Sequence, residues 1–189
     1  VYVFEVSTGR LVRTIVAQEV PHGRANGYGH ALAFMGSNLA VGAPQGGENP
    51  LDQGLVYIFN IQIGALLNSL QSIKPQTNEY FGWSLARDDE ALLIGALGRS
   101  LNAQTEAGAA YVFSNKGEFQ MALESPDPQK GDHFGETVEL MNDYLVVAAP
   151  GHDATGIDAG TVFFFGRQTG LLRTIISNPF DSTGAADLF

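Results

Sequence analysis

Residues 81–113 read FGWSLARDDEALLIGALGRSLNAQTEAGAAYVF and contain the pattern that decides the fold. An aromatic–glycine pair opens an alternating run at 82–86, and a polar turn separates it from a continuous apolar run at 91–96. A polar loop then leads to a run at 109–114, which is rich in aromatic and β-branched types. After a glycine turn, 119–123 completes the set. The segment therefore predicts one sheet of four short strands.

This unit is repeated along the chain with a step of 53 residues. The aromatic–glycine pair occurs at Tyr28-Gly29, Phe81-Gly82 and Phe134-Gly135. A small-residue element keeps the same step, at Gly42-Ala43-Pro44, Gly95-Ala96-Leu97 and Ala148-Ala149-Pro150. We expect the aromatic residues to pack between neighbouring sheets and the small residues to allow close approach of strands. Both roles are structural.

Four strands in about 53 residues, repeated in tandem, are typical of the blades of a β-propeller. We predict an all-β chain of four-stranded antiparallel blades, with about 3.5 repeats present. Residues 1–26 form the second half of one repeat, 27–80, 81–133 and 134–188 form complete repeats, and residue 189 opens the next.

A ring needs at least about four blades to close, and the chain holds about 3.5 repeats. Three explanations remain open. We favour a fragment of a longer propeller. The alternatives are a ring that a second subunit completes and a strained four-bladed ring with one half-built blade. An open arc would expose strand edges and apolar blade faces.

Composition excludes several classes of partner. The net charge of −10 opposes binding to a phosphate backbone, so we expect no nucleic acid partner. No apolar run reaches the roughly 18 residues that a membrane-spanning helix needs, so we expect no membrane insertion. The chain has no cysteine, which excludes disulfides and thiolate metal sites.

The pattern Phe81-Gly82-x-Ser84, then 93–96 and 109–113, resembles the FG-GAP repeat of the integrin α-subunit propeller and of many bacterial surface and secreted proteins. The resemblance implies an extracellular propeller, usually of seven blades, that serves in adhesion or ligand binding to protein or glycan. Calcium-binding members carry a long acidic loop between the first two strands. Here the connections 35–38, 87–90 and 140–143 are too short to supply six to eight oxygen ligands. We therefore expect no cofactor and a likeness to bacterial repeats that lack the calcium loop.

Candidate recognition residues lie in the long connections between strands two and three and in the links between blades, which share one face in this family. Scaffold-mounted loops of this kind often carry function. The connections are 44–53, 97–107 and 150–159, and the links are 20–27, 74–80 and 128–133. The candidate ligand-binding residues are Glu48, Asp52, Asp132, His133, His152, Asp153 and Asp158. Carboxylates and imidazoles together suit a divalent ion, which makes Asp153 and Asp158 weak metal candidates, although polar loop residues are the commoner interpretation.

Two further features remain. A polar residue precedes each aromatic by two positions, and we predict that it caps the tight turn by bonding local backbone amides; the set is Asn26, Glu79, Asp132 and Asp187. Trp83 suits sugar stacking, but its position favours packing or channel lining.

No catalytic motif is present, so we expect a binding module rather than an enzyme. A scaffold for assembly is the second hypothesis, and an enzyme with its site at the central channel is the third.

Overall fold

The computed structural model describes residues 1–16, 26–47, 53–153 and 159–178, and these contain 14 β-strands and no helix. A two-stranded sheet is followed by three four-stranded antiparallel sheets, which we call the first, second and third blade. The two-stranded sheet contains β1 (Tyr2–Phe4) and β2 (Leu11–Thr14). The first blade contains β3 (Leu32–Met35), β4 (Asn38–Ala43), β5 (Leu55–Asn60) and β6 (Leu66–Leu70). The second contains β7 (Leu85–Arg87), β8 (Ala91–Ala96), β9 (Ala109–Ser114) and β10 (Phe119–Leu123), and the third contains β11 (Thr137–Met141), β12 (Tyr144–Ala149), β13 (Thr161–Gly166) and β14 (Leu172–Ser177).

Within each blade the strands pair in chain order, which confirms the predicted four-stranded antiparallel sheet. The prediction for the first strand of the second blade was wrong at its start. We predicted 82–86, and the strand covers 85–87. The backbone N–H groups of Gly82 and Trp83 both donate to the carbonyl oxygen of Gly95, at 3.0 and 3.2 Å. These bonds fold residues 82–83 into a turn before the strand begins.

The aromatic residues pack between blades, as predicted. Phe81 is 0% exposed and belongs to the apolar cluster between the first and second blades. Its ring lies 5.4 Å from that of Tyr111, on the third strand of its own blade. Phe134 repeats the arrangement between the second and third blades, at 5.3 Å from Phe163. Stacked blades therefore bury the faces that a single sheet would leave in water.

Close approach of neighbouring blades explains two of the recurring small residues. A Cβ atom at Gly95 would overlap the carbonyl oxygen of Gly135 in the next blade. A Cβ atom at Gly42 would likewise overlap the carbonyl oxygen of Gly82. The predicted role of these glycines is confirmed, because an alanine at either position would push the two blades apart.

The first strands β3, β7 and β11 lie beside one another, which places them on the inner side of the arc. Each blade has two ends because its strands are antiparallel. The loops between strands two and three and the links between blades lie at one end of the blade, which we call the loop end. The turns between strands one and two and between strands three and four lie at the other, the hairpin end. The loop end is where the sequence predicts recognition.

Candidate functional site

Links and long loops are joined at the loop end by hydrogen bonds. In the second blade, Gly98 N–H donates to the carbonyl of Glu79 at 3.2 Å, and Ser100 N–H donates to the side chain of Gln76 at 3.0 Å. The next link bonds to loops on both sides, because Gly131 N–H donates to Thr105 and Gly151 N–H donates to Asp132. The predicted shared face is therefore observed for the links at 74–80 and 128–133, both of which are held by neighbouring loops.

A fully paired carboxylate anchors the link before the second blade. Glu79 is 0% exposed. Its Oε1 accepts hydrogen bonds from Arg99 at 2.8 Å and from the Tyr111 hydroxyl at 2.6 Å. Its Oε2 accepts bonds from the Ser72 hydroxyl at 2.8 Å and from Gln76 N–H at 2.9 Å. Four donors satisfy a charge that would otherwise be very costly to bury.

The pKa of Tyr111 depends on this buried cluster. Burial, together with the negative charge of Glu79 and the bond donated to it, raises the pKa of Tyr111 well above its usual value. The guanidinium of Arg99 lies 5.8 Å from the centre of the Tyr111 ring. The link, loop and third strand are therefore joined in one buried polar cluster.

The same position in the third blade is filled differently. Asp132 is 0% exposed, and its Oδ2 accepts a bond from Gln129 N–H at 2.8 Å. His152 is also buried, and its Nδ1 lies 3.2 Å from Asp132 Oδ2 without making a hydrogen bond. Phe163 replaces the tyrosine of the preceding blade, so its ring offers no hydroxyl to the carboxylate. Asp132 Oδ1 consequently has no hydrogen-bond partner.

The predicted capping role of the recurring polar residue is confirmed in three repeats. Glu79 accepts from the N–H of Gln76, and Asp132 accepts from the N–H of Gln129. Asn26 Oδ1 accepts from Tyr28 N–H at 3.0 Å. The fourth member, Asp187, lies outside the described residues.

The structure brings together only some of the predicted ligand-binding residues. Asp132 and His152 are in contact, whereas the imidazole of His133 lies 3.8 Å from Glu136. Asp153 is exposed. Glu48, Asp52 and Asp158 lie outside the described residues. In the part of the chain that the structure describes, no group of three or more His, Cys, Asp or Glu side chains could hold a metal ion.

Sequence reasoning missed two partners of Trp83. Its ring centroid lies 4.3 Å from that of His30 and 6.1 Å from that of Tyr80. Trp83 and Tyr80 are partly exposed, and His30 is exposed. The repeat register could have found them, because His30 and Trp83 are 53 residues apart and Tyr80 directly precedes the aromatic–glycine pair.

The hairpin end carries a different polar feature. Arg167 of the third blade forms ion pairs with Asp88 and Glu90 of the second blade. The hydrogen bonds from Arg167 hold the pKa of Asp88 well below its usual range, and the same contact raises the pKa of Arg167. A polar cavity of about 380 Å³ lies beside it, lined in part by Asn142 and Arg173. These contacts tie the second and third blades together away from the loop end.

None of the described segments forms a helix long and apolar enough to cross a membrane.

Tandem four-stranded antiparallel sheets that stack face to face, each entered through an aromatic–glycine turn, are the blades of a β-propeller. Residues 74–113 and 118–165 match the profile of the FG-GAP repeat. The matched segments, which lie in the second and third blades, are therefore identified as FG-GAP repeats. A search of curated proteins finds no significant match to the chain.

Proposed function

We propose that the chain is a non-enzymatic binding or adhesion module that recognises a protein or a glycan through its loop end. One observation carries the proposal: buried polar contacts fix the links against the long loops in two successive blades, at Glu79–Arg99 and Asp132–His152. Loops on such a rigid support can keep one shape for a ligand. FG-GAP repeats are also often found in adhesion and binding modules and are typical of extracellular proteins, which supports the same role outside the cell.

Burial argues against acid–base catalysis by the Asp132–His152 pair. Asp132 is 0% exposed and His152 is 6% exposed, so a substrate in solution does not reach them without local opening. Their contact with each other and with the link favours a structural role. We therefore rank an enzymatic role of this pair below binding at the loop end.

The test compares the two ends of the molecule. The exposed side chains of Asn102 and Gln104 lie on the long loop of the second blade, and those of Asn142 and Gln168 lie at the hairpin end. We expect Asn102→Ala/Gln104→Ala to weaken capture of the chain on glycan arrays or on immobilised surface proteins. The matched variant Asn142→Ala/Gln168→Ala should bind like the wild type. Equal binding by both variants would contradict recognition at the loop end.

Exposed apolar faces favour a second candidate role in assembly. Tyr2 and Phe4 are 67% and 56% exposed, whereas their repeat equivalents Tyr111 and Phe113 are 1% and 4% exposed. On the third blade, Ile176 is 50% exposed and its equivalent Leu123 is 2% exposed. We propose that further blades, from a longer chain or from a second subunit, cover these faces.

Light scattering tests the assembly proposal. A chain that associates through these faces should form dimers or larger species, and Phe4→Ser and Ile176→Ser should each shift them toward monomer. Self-association that neither substitution weakens would contradict the proposed contact. A monomer at all concentrations would leave further blades of a longer chain as the cover for these faces.

A further inference from the structure

Trp83, Tyr80 and His30 form a continuous aromatic surface at the loop end of the inner strands, which we call the rim platform. Trp83 lies just before β7, and His30 lies just before β3 on the neighbouring blade. The two rings are 4.3 Å apart and inclined by 44°, so they make one broad, slightly folded surface. Tyr80 extends it, with an angle of 59° to Trp83. The platform therefore joins two blades on the inner side of the arc.

A strained backbone holds one ring of the platform. Tyr80 has a φ of 55°, in the left-handed region that bulky residues rarely adopt. The same repeat position holds Gly27 in the first repeat, with a φ of 68°, where no strain arises. The chain has a tyrosine here, in a conformation that a glycine would adopt without strain. Strain of this kind is concentrated at binding sites.

The packing of the rings argues against a cage for a cation. An ammonium ion needs separated rings that surround it. Here Trp83 already contacts both neighbours, which leaves an outer surface rather than a space between rings. Such a surface suits a flat, largely apolar ligand face with polar groups at its edge.

Polar groups occupy the equivalent positions on the next blade. Glu136 occupies the repeat position of Trp83, and its carboxylate lies 3.8 Å from the imidazole of His133. Both side chains are partly exposed, and the strands that follow Trp83 and Glu136, β7 and β11, lie beside each other. A carboxylate and an imidazole are acceptors and donors that suit sugar hydroxyls.

We propose that the rim platform is a binding site for neutral glycans, in which the C–H face of a pyranose ring stacks on Trp83 and the next residue of the glycan reaches Glu136 and His133. The net charge of −10 disfavours acidic glycans at the same site. The inference rests on the proposed binding function and assigns its ligand class and its central residues.

Trp83 is the only tryptophan in the chain, so its fluorescence reports directly on the platform. The full chain is titrated with cellohexaose, chitohexaose and mannohexaose, and with oligogalacturonate as the acidic probe. We expect at least one neutral hexasaccharide to shift the Trp83 emission to the blue with a saturable Kd below about 5 mM, and oligogalacturonate to cause no shift.

Variants are compared by calorimetry, because Trp83→Ala and Trp83→Phe lack the fluorescent reporter. We expect Trp83→Ala to weaken binding about tenfold or more, and Trp83→Phe to retain most of it. His30→Ala keeps the fluorescent reporter, and we expect it to weaken glycan binding about threefold. Because the His30 ring is exposed, this loss of affinity does not depend on the stability of the core. Tyr144→Ala removes an exposed ring at the hairpin end and should bind like the wild type.

Two results would overturn the platform while leaving the proposed function intact. One is capture of a protein or a cell surface by the loop end with no emission shift for any neutral hexasaccharide. The other is glycan binding that Trp83→Ala and His30→Ala do not weaken. If neither glycans nor surface proteins bind the chain at all, the proposed function fails together with the platform.

Discussion

Glu79 and Asp132 hold the same place in two successive repeats, yet only the carboxylate of Glu79 is fully paired. Glu79 accepts four hydrogen bonds, whereas one oxygen of Asp132 has no partner. Three differences accompany this contrast: the carboxylate side chain is one methylene shorter in Asp132, Phe163 stands where Tyr111 does, and His152 stands where Arg99 does. The anchor of the third blade is therefore the weaker of the two.

Breaking the Glu79–Arg99 pair should strongly destabilise the fold. Glu79→Gln removes the charge that balances a guanidinium with 10% of its side chain exposed. We expect a loss of about 3 kcal/mol, measured by urea denaturation. The double variant Glu79→Gln/Arg99→Met removes both charges and should recover part of the loss. A double variant that loses the sum of the two single effects would contradict the coupling.

The fold follows from the sequence because the repeat is encoded in local patterns. Period-2 alternation, glycine turns and the 53-residue step define strands and blades without any knowledge of tertiary contacts. The first strand of the second blade was placed three residues early, because the turn at Gly82 depends on a bond to Gly95 across the sheet. Such bonds leave no signal in a short window of sequence.

The candidate site was harder to predict. The recurrence of Glu79 and Asp132 was visible, but their partners Arg99 and His152 lie 20 residues further along the chain and meet them only through the stacking of loop on link. The contact between His30 and Trp83 joins two blades. Side chains that approach across blades can be related by repeat register, but their distances and exposure require the folded structure.

Crowding at Gly95 gives a sharp test of the stacked blades. Gly95→Ala places a Cβ atom against the carbonyl of Gly135, and we expect a loss on the order of 3 kcal/mol as the blades shift. Ala148 occupies the same repeat position in the third blade. Its replacement in Ala148→Gly should change the free energy of unfolding by less than about 1 kcal/mol. Thermal denaturation of both variants measures the difference, and similar losses would contradict the close approach at Gly95.

Backbone strain at His133 can be measured by comparing two substitutions. His133 has a φ of 53°, and both variants lose its contact with Glu136. Alanine keeps the strained conformation, whereas glycine adopts it freely. We expect His133→Gly to be more stable than His133→Ala by about 1 kcal/mol in chemical denaturation. Equal stabilities would show that the left-handed conformation carries no strain.

Buried tyrosines should make the fold sensitive to alkali. Burial, with a smaller effect of Tyr57, raises the pKa of Tyr28 to about 12, and the pKa of Tyr111 is also raised. Because the unfolded chain releases these protons near pH 10, the native state binds more protons above that pH, and stability must fall as the pH rises. We expect the midpoint of urea unfolding to decrease from about pH 10 upward. The decrease should be shallower in Tyr111→Phe, and an equal slope in both proteins would contradict the raised pKa.

The ion pair at the hairpin end should make the contact between the second and third blades sensitive to acid. Because the lowered pKa of Asp88 keeps it ionised in the native state, its stabilisation is full above the ordinary aspartate pKa of about 4 and is lost as the pH falls. Asp88 is one-third exposed, so solvent screening limits the effect, and Asp88→Asn should lose about 1 kcal/mol at pH 7.

The difference in stability between the wild type and Asp88→Asn should shrink below about pH 4 and vanish at the lowest pH at which both remain folded. Asp143→Asn, which removes one exposed aspartate of the same end, is the matched control for the loss of a negative charge. A difference that persists unchanged in acid would mean that Asp88 acts through its turn hydrogen bonds to Glu90 and Ala91 rather than through its charge.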